Sequence, residues 1–161
     1  MKSSASSSKP RSFQELFDEA EALFSSGSYT EALLLYQQAQ KVAADKEGKS
    51  SCILGSVNCL NNLKRFEEAS KVCEKEEKFF LKEFGKESDW YARFEEERSQ
   101  MYAGLRRFPE ALKCIEKCSE IWVKLEGKGK GHRSALHTKS RILLDMEVNE
   151  FLLFLVPSLT S

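Results

Sequence analysis

The sequence predicts an all-α protein, an α-solenoid of antiparallel helical hairpins, and three observations carry that expectation. The first is a recurring unit, aromatic-x-Glu-Ala: Tyr29-Thr30-Glu31-Ala32, Phe66-Glu67-Glu68-Ala69 and Phe108-Pro109-Glu110-Ala111. Each unit closes a short turn and opens an apolar helical stretch, and the three lie 37 and 42 residues apart. Self-similarity at such a period marks a helical-repeat array, in which each unit buries its apolar face by stacking on its neighbours. The second observation is that apolar residues between the turns recur in steps of three and four, the spacing of one helix face. The third is composition. Hydrophobic residues make up 41% and charged residues 31% of 161 positions, with three prolines, which suits ordered helices around one core.

Residues 1–12 are Ser-rich and basic and lack the apolar run of a secretory signal, so they read as a disordered leader. From Phe13, the residues Leu16, Ala20, Leu23 and Phe24 share one helix face, and Gly27 suits the left-handed position past its end. A second helix carries Ala32, Leu35, Tyr36 and Ala39, and Asp45-Lys46-Glu47-Gly48 reads as its stop. Cys52, Ile53, Val57 and Leu60 lie on a third helix, and Phe66, Ala69, Cys73 and Phe80 on a fourth. Trp90, Tyr91, Phe94 and Met101 mark a fifth, which turns at Gly104. Phe108, Ala111, Ile115, Cys118 and Ile121 follow on a sixth, where Pro109 fits the first turn because its missing N–H is no loss there. A Gly-Lys connector, Gly127 to Gly131, leads to a seventh helix beginning near Ser134. The expected repeat domain is therefore 13–150, three hairpins plus one terminal helix. Residues 151–161 open on Phe151-Leu152-Leu153-Phe154-Leu155-Val156, which abandons the amphipathic pattern. They read as an apolar tail that caps the last hairpin, docks on a partner, or ends a truncated or alternative product. Residues 151–156 are also a candidate for self-association.

Several function classes are excluded on chemistry. Lys+Arg and Asp+Glu both number 25, for a formal net charge of zero, so the basic excess that phosphate binding needs is missing. No stretch approaches the roughly 20 apolar residues that cross a bilayer. Cys114, Cys118, His132 and His137 match a zinc template in spacing, C-x3-C followed by H-x4-H, but zinc needs a tight turn where continuous helix is expected. The cysteines are therefore read as small packing residues, with no metal and no cofactor. Gly127-Lys-Gly-Lys-Gly131 lacks the spacing and the preceding strand of a phosphate loop. Neither histidine has a nucleophile and acid arranged with it, so no enzyme is expected. Without an export signal the five cysteines point to reduced thiols and a cytoplasmic protein.

These residues resemble the tetratricopeptide repeat (TPR) family. Tyr29, Ala32, Tyr36 and Ala39 fit its aromatic-small-large-small pattern in full, and Phe108, Ala111, Ile115 and Cys118 nearly so. Phe66, Ala69 and Cys73 fit, but Glu76 stands where a small residue is expected, which predicts a looser contact between the second and third repeats. Repeats longer than the standard 34 residues look like those of the kinesin light chain. The resemblance implies a protein-interaction scaffold whose first helices line a concave groove that holds a peptide or helix of another protein. On that basis the groove is expected from Gln14, Phe17, Glu21 and Phe24, then Leu54, Asn58, Asn61 and Asn62, then Arg93, Glu96, Gln100 and Ala103. Asn58, Asn61 and Asn62 share one face and could clamp a peptide backbone, or Asn61 and Asn62 could simply end their helix. Some relatives hold a C-terminal carboxylate with basic first-helix residues. Here Phe17 and Glu21 stand at matching positions and Glu95-Glu96-Glu97 would repel such a tail. The alternative in another class is a structural subunit that packs into a larger assembly through its apolar C-terminal end.

Overall fold

The computed structural model describes residues 10–159, with side chains to 155, and within that span the chain forms seven helices and no strand. They are α1 (Phe13–Ser25), α2 (Tyr29–Val42), α3 (Lys46–Asn62), α4 (Phe66–Phe84), α5 (Asp89–Gly104), α6 (Phe108–Glu126) and α7 (Lys130–Leu159). Consecutive helices pack pairwise, and α3, α5 and α7 also touch one another in sequence, so the first helices of successive hairpins form one layer. The core runs unbroken along the stack, from Ala20, Ala32 and Tyr36 through Ile53 and Phe80 to Ile142. Leu16, Ala39 and Cys52 close its first end.

All three hairpin turns are built the same way. At the end of α1, Ser28 N–H donates to Leu23 O at 2.9 Å and Gly27 N–H to Phe24 O at 3.0 Å. Arg65 and Lys64 repeat this on Leu60 and Asn61, and Arg107 and Arg106 on Tyr102 and Ala103. This pair of bonds satisfies carbonyls that a helix end otherwise leaves open, and it places one residue in the left-handed region. Gly27 takes that position at φ 82°, but Lys64 and Arg106 take it at 61° and 60°. The two cations lie just past helix C-termini, where the helix dipole offsets part of the backbone strain.

The structure moves several boundaries. Ser12, read as leader, is the N-cap of α1 in a full capping box with Glu15, and Arg11 forms an ion pair with Glu19. Residues 1–9 of the expected leader lie outside the described residues. Asp45-Lys46-Glu47-Gly48 does not stop a helix but starts one: the Asp45 carboxylate accepts from Gly48 N–H at 2.6 Å, and α3 begins at Lys46. Gly48 is needed there because a Cβ would sit 2.9 Å from the Phe13 ring. α7 begins at Lys130 rather than near Ser134, helped by Gly131 N–H donating to Glu126 Oε1 at 2.6 Å. The stretch read as a separate tail continues α7 as far as Leu159. No helix among the described residues is long and apolar enough to cross a membrane.

Glu76 is buried at its helix face, 3.5 Å from Lys75. α4 packs less extensively on α5 than α2 does on α3. Aromatic stacking helps to join them: Phe80 stacks on Phe94 with centroids 4.5 Å apart, and Phe84 on Trp90 at 5.3 Å.

The five cysteines are free and buried. Burial pushes the thiols of Cys52, Cys59, Cys73 and Cys114 up to about 12, and Cys118 upward as well. Thiolate is the reactive form, so these side chains are inert while folded. The native chain is expected to resist iodoacetamide at all five positions under conditions that fully alkylate the denatured chain. Mass spectrometry of both samples checks this, and rapid native labelling of any one would contradict the packing described.

Candidate functional site

The layer made by α1, α3 and α5 carries a groove of about 380 Å³, within the range of ligand-holding clefts, about 300–1,000 Å³. From α1 come Phe17, Glu21 and Phe24, one residue per turn of one face. α3 adds Ser51, Leu54, Gly55 and Asn58, and α5 adds Trp90, Arg93, Glu96 and Glu97. Tyr36 reaches in from α2 behind them. It can do so because position 55 is glycine: a Cβ there would lie 2.6 Å from the Tyr36 ring. Phe17 meets Tyr36 edge to face at 5.8 Å, which fixes both rings.

The polar groups are held in known directions. The Tyr36 hydroxyl donates to Glu21. Glu96 Oε1 accepts from Ser134 Oγ at 2.9 Å and Thr138 Oγ1 at 3.1 Å, both from α7. Glu97 Oε2 accepts from Asn61 Nδ2 at 3.2 Å. Burial and the neighbouring Glu96 carboxylate push Glu97 up to about 8, against the opposing pull of the Asn61 amide and Arg141. Arg93 lies 3.9 Å from Asp89 and over the Trp90 ring. Asn58 Oδ1 accepts from Asn62 Nδ2 at 2.8 Å, while the Asn58 amide nitrogen has no partner among the described residues.

Six of the nine residues at the centre of the expected site therefore converge: Phe17, Glu21, Phe24, Asn58, Arg93 and Glu96. The other three do not join them. Asn61, Asn62 and Gln100 line a second, more polar hollow of about 370 Å³ between the ends of α3 and α5 and the side of α7. Asn61 is buried, its amide donating to Glu97 O at 3.1 Å, so it ties α3 to α5 rather than offering a free clamp. Asn62 is turned back onto Asn58 O at 2.9 Å. Of the flanking residues expected with them, Leu54 lines the groove, Ala103 lines the second hollow, and Gln14 bonds Asp18 at 2.7 Å on the outside of α1. Trp90 and Tyr36 line the groove without being expected there, and Glu97 is expected only as part of the acidic run Glu95-Glu96-Glu97. Glu97 follows Arg93 by one turn, so extending the helix face from Arg93 would have found it.

The histidine and cysteine set does not assemble. Cys114 and Cys118 face the core, His132 Nδ1 lies 2.9 Å from Ser119 Oγ, and His137 is exposed. Among the described residues no three metal-ligating side chains of this kind come together.

No family model matches the sequence, and no curated protein does. Among solved structures the chain is similar to a TPR-like protein from Chlorobium tepidum TLS, with a TM-score of 0.66 and 19% identity. The match covers 86% of this chain and 94% of that one. At that identity the likeness speaks for the fold alone: an all-α, TPR-like helical solenoid.

Proposed function

We propose that this chain is a non-enzymatic protein-interaction scaffold whose α1–α3–α5 groove holds a peptide or helical segment of another protein. One observation carries the reading. Residues spread over three repeats converge on a single cleft walled by Phe17, Phe24, Tyr36 and Trp90, and the Asn58 amide nitrogen there is unpaired among the described residues. Aromatic walls supply contact area at low entropic cost, and a directed amide suits a peptide backbone. We place the protein in the cytoplasm on its cysteine usage.

Peptides selected from a random display library on the full chain test this. Phe17→Ala is expected to weaken a selected peptide by about 2 kcal/mol or more, as buried aromatic anchors do. Asn58→Ala should cost about 0.5–1.5 kcal/mol, one net hydrogen bond. Lys71→Glu and Lys113→Glu, on α4 and α6, should leave affinity unchanged. Circular dichroism establishes that each variant stays helical. Full binding by both groove variants would overturn the proposal.

A second reading has its own observation. Phe151, Leu153 and Phe154 on the last turns of α7 are 62%, 64% and 79% exposed, an apolar end that a neighbouring subunit or second copy would cover. In that case Phe151→Glu and Phe154→Glu would abolish association in sedimentation while Asn58→Ala had no effect.

A further inference from the structure

The groove is acidic in a way its walls do not compensate. Glu21, Glu96 and Glu97 all line it, and none of them forms an ion pair among the described residues. Their bonds come from neutral donors instead: the Tyr36 hydroxyl, the hydroxyls of Ser134 and Thr138, and the Asn61 amide. Such donors aim a carboxyl group without supplying a counter-charge. Among the lining residues Arg93 is the single cation, and it sits beside Asp89 and over Trp90. A cleft of this kind attracts a cation twice, through the carboxylates and through the ring faces. It disfavours an acidic segment for the same reason.

We propose that the groove selects a peptide segment presenting a lysine or arginine between apolar side chains. Its cation is seated among Glu21, Glu96 and Glu97, and its apolar neighbours lie on Phe17, Phe24 and Trp90. This rests on the reading of the groove as a peptide site and adds to it the charge of the occupant.

A proton follows from this seating. The charged and titratable groups around Glu97 are Glu96 and Arg93 on α5, Glu21 on α1, Cys59 on α3, Cys73 on α4 and Arg141 on α7. In the empty groove burial holds Glu97 largely protonated below about pH 8. A lysine ammonium, with a pKa of about 10.4, stays charged over this range and favours the ionised carboxyl beside it. Binding therefore releases a proton from Glu97 to solvent. Affinity rises with pH up to the value of the empty site and levels above it.

The test uses peptides selected on the full chain, then the leading peptide made three ways: as selected, with its basic residue changed to norleucine, and with that residue changed to glutamate. The selected set is expected to carry Lys or Arg between apolar residues. Norleucine should weaken binding about tenfold and glutamate further. Affinity for the basic peptide should rise about threefold or more between about pH 6 and about pH 8, and Glu97→Gln should flatten that rise. Glu21→Gln, which keeps the Tyr36 bond, should weaken the same peptide severalfold without altering helicity. Peptides that are acidic or uncharged yet lost in Phe17→Ala would overturn the charge inference and leave the peptide site standing. So would basic peptides indifferent to both Glu97→Gln and Glu21→Gln. Selected peptides indifferent to Phe17→Ala and Asn58→Ala alike would sink both.

Discussion

Replacing Glu95 with alanine is expected to destabilise the chain by about 3–5 kcal/mol, the range for removing one partner of a buried ion pair. Glu95 is 2% exposed on α5 and stands at the centre of a polar cluster that crosses three helices. Its Oε1 accepts from Arg98 NH1 at 3.2 Å and from Lys117 Nζ of α6 at 3.2 Å. Arg98 NH1 also donates to Glu77 Oε1 of α4 at 2.7 Å, and Lys117 Nζ donates to the Tyr91 hydroxyl at 3.0 Å. The carboxylates hold Arg98 above the usual guanidinium range despite its burial. Without Glu95, Arg98 keeps Glu77 as its one carboxylate beside the Phe94 and Tyr102 rings, and a largely buried guanidinium that loses a counter-charge is costly. Urea unfolding followed by circular dichroism measures the loss. A change under about 1 kcal/mol would mean the cluster is solvated and does not join α4, α5 and α6.

Glu97→Gln should act in the opposite direction, and only at high pH. The folded-state value of Glu97, about 8, stands above the 4.5 of a free carboxyl, because burial and Glu96 disfavour its charge. Between those two values the native chain keeps a proton that the unfolded chain has lost. Its contribution is therefore full below about pH 4.5 and is lost as pH rises through about 8. Part of the side chain still meets the groove, so the loss is less than the full shift implies, on the order of 2 kcal/mol. Glutamine carries no charge and keeps an oxygen for Asn61. The variant should match the parent near pH 5 and exceed it by that amount near pH 9 in urea unfolding. Equal stability of the two at high pH would show that Glu97 ionises freely in solvent.

The fold was legible because three signals agreed: the aromatic-x-Glu-Ala units, the helical spacing of apolar residues, and a composition with three prolines that suits ordered helices. Helix starts were harder to read. Asp45-Lys46-Glu47-Gly48 looks like a stop because Asp and Gly favour turns, yet the same aspartate is a good N-cap and the glycine makes room for Phe13. Local sequence does not say which role wins, since the Phe13 contact spans 35 residues. The last turns of α7 were read as a tail because their polar face disappears, but backbone hydrogen bonding continues a helix without one.

The lining of the groove was legible where repeat register alone places a residue on the inner layer, as it does for Phe17, Glu21, Phe24, Asn58, Arg93 and Glu96. It failed where a residue's neighbour decides its direction. Asn61 lies one turn beyond Asn58 but is drawn into the α3–α5 contact by Glu97. Tyr36 fits the repeat pattern as a packing residue and does pack, yet its ring also forms the back wall of the groove through the opening left by Gly55. Glu97 sits in the acidic run Glu95-Glu96-Glu97, where local sequence does not say which carboxyl is buried, and only the helices around it reveal its burial.

We propose the layer of first helices as the working surface. Photo-crosslinking measures this most directly: a peptide selected on the full chain carries a benzophenone at one position, and mass spectrometry maps the adducts. The groove predicts adducts on α1 between Phe17 and Phe24, on α3 near Leu54 and Asn58, and on α5 from Trp90 to Glu97. Adducts confined to α4 and α6, or to the exposed end of α7 around Phe151 and Phe154, would contradict it.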